Sequence, residues 1–203
     1  MPFTYGLGYV FFSALANGLY NYRVIGRERL NLPGGVLIAS NHASFLDPPF
    51  VGKAFDEPLH YFARHTLFSH PLAGWLLRRW QAIPINRDKP DAGSLKATIR
   101  LLRAGGKVLI FPEGTRTPDG TLQPAEAGVG LFIAKGKVPV LPVRIFGTYE
   151  AFSRHHKVLH PSNVTVVIGD PWFPETDPAK IQGRDLYQSL ADEVMDRINQ
   201  ITL

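Results

Sequence analysis

Hydrophobic positions along the 203 residues fall into short runs separated by polar turns. Val36–Ser40 (VLIAS) follows Pro33, Gly34 and Gly35 and reads as a buried strand. Residues 59–63, 82–86, 107–111, 138–145 and 163–168 read as further strands. The run 138–145 carries Pro139 and Pro142, which places it near a sheet edge or makes it irregular. Between the strands lie helical patterns at 48–55, 71–80, 94–104, 128–135 and 184–201. In the third of these, Leu95, Ile99 and Leu102 form one face and Lys96, Arg100 and Arg103 another. Gly105 and Gly106 then stop it. The last helix has a stripe of Leu186, Leu190, Val194, Ile198 and Ile201. This alternation predicts a single-domain α/β sandwich, with a central mixed, mainly parallel sheet flanked by helices. No repeat, low-complexity tract or linker divides the chain after residue 22, so residues 23–203 read as one domain.

Residues 1–22 have a different pattern. The stretch 3–20 is mostly apolar, no charged side chain precedes Arg23, and Arg23, Arg27 and Arg29 follow closely. A signal peptide has its basic residues before the apolar run, so that reading is rejected. About 18 residues is the lower edge of what spans a bilayer. The glycines and aromatics in the run favour a helix lying in the interface. The expectation is an N-terminal membrane-associating helix, with the body of the protein at the cytoplasmic face. The alternative is a helix packed on the protein's own core.

Composition narrows the field. With 45% hydrophobic and 19% charged residues, the chain is not of the disordered class. It has no cysteine, which excludes disulfides, thiolate metal sites and cysteine nucleophiles. The net charge of +5 is uneven: residues 1–160 hold 19 basic and 10 acidic side chains, and residues 161–203 hold 3 and 7. The basic part suits phosphates or an anionic surface, on nucleic acid, a phospholipid membrane or a phosphorylated small molecule.

Two polar clusters stand at the C-terminal ends of apolar strands, where open α/β sheets bind ligands. The first runs from Ser40 through Asn41, His42 and Ser44 to Asp47 and Pro48. His42 and Asp47 would diverge by about 140° on a continuous helix, so they meet only if the chain turns between them. Asp47 as N-cap and Pro48 as first helical residue supply that turn. An imidazole oriented by a carboxylate is a general base near neutral pH. The chain has no GxSxG elbow and no cysteine, so such a base would activate a substrate hydroxyl. The second cluster is Phe111 to Arg116 (FPEGTR). Gly114 permits close backbone approach, and Arg116, like Arg87 elsewhere, offers the forked donor that suits phosphate. His155, His156 and His160 have no carboxylate placed to complete a metal set, and read as a surface loop.

These residues resemble the glycerolipid acyltransferase family, typified by 1-acyl-glycerol-3-phosphate (lysophosphatidic acid) acyltransferases. NHASFLD (Asn41 to Asp47) is similar to the family's NHxxxxD block. QAIPINR (Gln81 to Arg87), FPEGTR and VPVLPV (Val138 to Val143) follow in the family's order. The resemblance implies transfer of a fatty acyl group from acyl-CoA or acyl carrier protein to a lysophospholipid hydroxyl, at a phospholipid membrane. It implies no metal, no cofactor and no nucleic acid. His42 would be the general base and Asp47 its orienting partner. Asn41, Glu113, Gly114 and Thr115 would line the acceptor site, with Arg87 and Arg116 on phosphate. Three departures stand out. Gln81 replaces the usual glycine of the second block, and Asn86 a common aspartate. Glu126 and Ala127 occupy the neighbourhood where the family often has a lysine.

Overall fold

Val36 and Ile38 pack to one side of their strand and Leu37 and Ala39 to the other, and all four are buried. That two-sided burial is the mark of a central strand in a sheet covered on both faces. The computed structural model describes residues 3–86, 92–174 and 183–203. Its sheet has seven strands: β1 (Arg23–Ile25), β2 (Val36–Ser40), β3 (His60–Arg64), β4 (Ala82–Ile85), β5 (Lys107–Ile110), β6 (Val140–Phe146) and β7 (Thr165–Ile168). Their order is β1-β7-β6-β2-β5-β3-β4. Strands β2 to β6 run parallel, β7 is antiparallel to β6, and β1 is parallel to β7. The mixed, mainly parallel sheet predicted from the pattern is therefore present.

The position of β6 differs from expectation, because it lies inside the sheet, between β7 and β2. Val140 exchanges both backbone hydrogen bonds with Trp172, so residues 140 and 142 present their backbone groups on the β7 side. The donor that Pro142 lacks thus falls beyond Ile168, where the β6–β7 ladder has ended, and its carbonyl still accepts from Gly169.

Helices α1 (Phe3–Leu19) and α2 (Asp47–Lys53) cover one face, packed through Tyr20, Phe50, Val51 and their neighbours. Helices α4 (Ala92–Arg103), α5 (Ala127–Gly136) and α7 (Arg184–Gln200) cover the other. There the stripe of α7 buries Leu190, Val194 and Ile198. Gly130 lets α5 and α7 close together, since a Cβ on it would lie 1.7 Å from the Tyr187 carbonyl oxygen. Helix α3 (Pro71–Arg79) packs beside β4 and α1.

Helix α1 has two faces. Ala16 is buried in the first core, and Phe12, Leu15 and Leu19 pack against it. Leu7, Val10 and Phe11 lie on the outside, each 63% exposed. Their spacing of three and four residues is one helical stripe. One face of α1 thus belongs to the protein's own core, the alternative that the sequence left open, and the other is exposed. Among the described residues, no helix is long and apolar enough to cross a membrane.

Candidate active site

The C-terminal ends of β2 and β5 lie side by side, because the two strands pair in parallel. This brings the two polar clusters of the sequence together. Thr117 N–H donates to the His42 carbonyl at 2.8 Å, and His42 N–H donates to Glu113 Oε1 at 2.7 Å. The loop after β5 therefore grips the backbone of His42 from both sides.

Asp47 closes the loop after β2. Its Oδ2 accepts from Ala43 N–H at 2.6 Å, from Ser44 N–H at 2.7 Å, and from His42 Nδ1 at 2.8 Å. The carboxylate is fully buried. It begins α2 as the first helical residue, with Leu46 at the cap, so Asp47 is not the N-cap the sequence suggested. The reason lies in the loop: the carboxylate satisfies two donors upstream of the helix. A carboxylate only accepts, so Nδ1 of His42 carries the proton and Nε2 presents its lone pair. The imidazole stacks on Phe111, with centroids 4.0 Å apart and planes 18° apart. Its ring is thus held by packing on one side and by charge on its edge.

Glu113 is 4% exposed. Its second oxygen accepts from Gln123 N–H at 3.1 Å. Burial pushes its carboxyl up to about 7; the N–H donors of His42 and Gln123 oppose the rise, and the Asp47 charge adds to it. Asn41 commits both ends of its amide to Ile145 in β6, donating to the carbonyl at 3.0 Å and accepting from the N–H at 2.8 Å. Both residues thus hold the loops that carry the histidine. Gly114 adopts φ 67°, and a Cβ there would sit 3.0 Å from Glu126 Cγ. Thr115 is exposed, and the Arg116 guanidinium lies 3.5 Å above the ring of Phe45. Arg87 lies outside the described residues.

Gln81 adopts φ 60°, a left-handed conformation that L-residues take at a cost. This accounts for the glycine found at that place in the resembling motif.

An apolar cavity of about 260 Å³ opens beside Phe45 and runs between α1, α2, α3, β3 and β4. Its lining includes Phe12, Pro49, Tyr61, Trp80 and Ala82. Phe45 and Trp80 share this lining although they stand 35 positions apart, a pairing that nothing in the sequence indicates.

The sequence profile of the acyltransferase family matches residues 21–146. The chain belongs to the acyltransferase family. It is 27% identical over 180 residues to the 1-acyl-sn-glycerol-3-phosphate acyltransferase of Bacillus subtilis, covering 88% of this chain and 87% of that protein. The enzyme of the same name from Pseudomonas aeruginosa is 32% identical over 159 residues, 76% of this chain and 60% of that one. The crystal structure of the LPA acyltransferase PlsC from Thermotoga maritima is 25% identical and superposes with a TM-score of 0.73, over 95% of this chain and 77% of that one. This member of the family is an enzyme that transfers acyl groups.

Two features of the site were missed in the sequence. Arg64 ends β3 at this same sheet edge and is exposed. A basic residue directly after an apolar run was the available signal. The other is helix α6 (Thr148–Phe152), whose five residues are too few to show a period. Phe152 accepts a hydrogen bond from Ser44 Oγ at 2.6 Å, and its ring lies 5.9 Å from Phe45.

Proposed function

We propose that the protein moves a fatty acyl group from a thioester, acyl-CoA or acyl carrier protein, to the free hydroxyl of 1-acyl-glycerol 3-phosphate. The observation that carries this reading is the buried Asp47 carboxylate on Nδ1 of His42. It supports His42 as general base, with the base lone pair on Nε2. In this reading His42 takes the acceptor's hydroxyl proton as the oxygen attacks the thioester carbonyl. The imidazolium that forms is stabilised by the ionised Asp47. A tetrahedral oxyanion results, and its collapse breaks the C–S bond. The proton on His42 then goes to the leaving thiolate. A thioester is already activated, so the step calls for no metal.

Other features agree. The apolar cavity beside Phe45 suits an acyl chain. Arg116 and Arg64 bring positive charge to the rim where a phosphate headgroup would sit. Asn41 and Glu113 act in this reading as positioning residues. The exposed stripe of Leu7, Val10 and Phe11 suits contact with the membrane that holds both lipid substrate and product. The relatives' names support the choice of acceptor.

The test is transfer of labelled acyl groups from acyl-CoA and acyl carrier protein to a panel of lysolipids, with His42→Ala beside wild type. Transfer to 1-acyl-glycerol 3-phosphate, lost in the variant, is the expected result. Transfer to a different acceptor would change the substrate assignment. Release of free fatty acid regardless of acceptor would make the protein a thioester hydrolase.

A further inference from the structure

The family profile ends at residue 146, yet the chain that follows builds part of the site's rim. Strand β6 ends at the same edge as β2, and Gly147 turns the chain into α6. Four contacts then fasten residues 149–155 to the two catalytic loops. Two are the Phe152 contacts to Ser44 and Phe45 already described. Tyr149 OH donates to the Pro118 carbonyl at 3.1 Å, and His155 Nε2 donates to that same oxygen at 2.8 Å. Between these anchors lies Arg154. Its side chain is exposed, and its Nη2 makes one long contact, 3.4 Å, to Thr115 Oγ1.

Thr115 sits between Glu113 and Thr117, the two residues that grip the backbone of His42. The guanidinium of Arg154 is thus one side chain away from the loop around the catalytic base. Arg116, next along the chain, is stacked on Phe45. Two permanent cations therefore belong to this rim, Arg154 on the Thr115 hydroxyl and Arg116 on the Phe45 ring. A guanidinium carries five donors in a planar fork that matches phosphate. Arg154 has one of them on a neutral hydroxyl and, among the described residues, makes no ion pair. Two carboxylates neighbour this loop: Glu126, packed over Gly114 by its Cγ, and Asp119, whose Oδ1 accepts from Thr117 and Thr121. An ordered chain segment fastened at four points is a firm base for a cation that would otherwise be a floppy surface charge.

We propose that Arg154 binds a phosphate group of a substrate, together with Thr115 and Arg116, and that residues 148–155 form a wall of the active site. The proposal rests on the acyl-transfer reading given above. The phosphate belongs either to the acceptor's headgroup or to the donor's carrier, and kinetics separates the two.

The experiment compares wild type with Arg154→Ala and Arg154→Lys, varying 1-acyl-glycerol 3-phosphate and acyl-CoA in turn. Loss of one charge-assisted hydrogen bond corresponds to about a tenfold rise in KM. We expect that rise for Arg154→Ala, with kcat nearly unchanged, an unaltered melting temperature and partial recovery in Arg154→Lys. A rise confined to the acceptor assigns the headgroup phosphate, and a rise confined to acyl-CoA assigns the carrier's. An active wild type whose two KM values ignore both substitutions would overturn this proposal and leave the acyl-transfer reading standing. A fall in kcat alone would also overturn it, since that would mark Arg154 as a support for the loop. A wild type with no turnover on any lysolipid would overturn both.

Discussion

Glu113 Oε1 accepts the backbone N–H of His42 at 2.7 Å, so the second polar motif holds His42 by its main chain. The link is short, part-buried and independent of the imidazole. It joins residues 71 positions apart, and it makes the carboxylate a structural partner of His42.

Because burial raises the Glu113 carboxyl to about 7, its contribution to stability depends on pH. In the unfolded chain the group ionises near its ordinary carboxylate value. Between that value and about 7 the folded protein binds the extra proton. Stability therefore declines as pH rises through this window, and levels off above it. Glu113→Gln removes the dependence. Thermal melts from pH 4 to 9 should show wild type losing ground to the variant up to about pH 7, with a constant difference beyond. A difference independent of pH would refute the assignment.

Asp47→Asn keeps an acceptor for the loop N–H groups and removes the charge on His42 Nδ1. Asp47 Oδ1 is buried without a partner among the described residues, so the new amide N–H₂ at that place would be unsatisfied. General-base catalysis contributes about 10²- to 10⁴-fold, and kcat should fall within that range. Asp47→Ala orphans three donors at once, and should also lower stability by about 2–4 kcal/mol. The checks are kcat for the first variant and denaturant midpoints for the second.

If the apolar cavity holds the acyl chain, filling it must shorten the chain that fits. Ala82 lines it from β4. Ala82→Phe should shift preference toward shorter acyl donors, seen as a larger loss of kcat/KM for long chains than for short ones. Equal losses at every chain length would detach the cavity from the reaction.

Leu7, Val10 and Phe11 are the exposed stripe of α1. Burying a side chain of this size is worth about 1.5–3 kcal/mol. Replacing all three with glutamine should weaken binding to phospholipid vesicles by at least about tenfold. Activity on short, water-soluble acceptors should persist. Flotation with liposomes measures the first and an assay in solution the second.

Gln81 sits at φ 60°. Relief of left-handed strain is worth about 1–2 kcal/mol, and the added freedom of glycine in the unfolded chain returns about 0.4–1 kcal/mol. Gln81→Gly should therefore raise stability by roughly 0.5 kcal/mol, read as a small increase in denaturant midpoint.

Much of this architecture was legible in the chain. β2 and β5 declare themselves as short apolar runs ending in polar clusters, and two such runs at one sheet edge bring His42 and Glu113 together. The stripe of α7 is equally plain. Other features rest on long-range pairing. β1 is three residues long and exists because Thr165–Ile168 lies beside it. No local pattern could reveal that. Pro142 argued for an edge, but one missing donor matters only on the side where the ladder continues. The resemblance sets Asn41 and Glu113 along the acceptor site, and says nothing of the loops they anchor. Their commitment to backbone groups depends on partners up to 104 residues away. Arg87 falls outside the described residues, and its expected place on phosphate stays a proposal.

The strand order sets a timetable for synthesis. Helix α1 is made ahead of the sheet, while β1 has no partner until β7 has been made. The loop bearing His42 likewise waits for Ile145 and Phe152 before Asn41 and Ser44 can anchor it. Contacts of such sequence separation form late and slowly. The apolar stripe of α1 is therefore complete, and exposed, well before the loop bearing His42 is anchored.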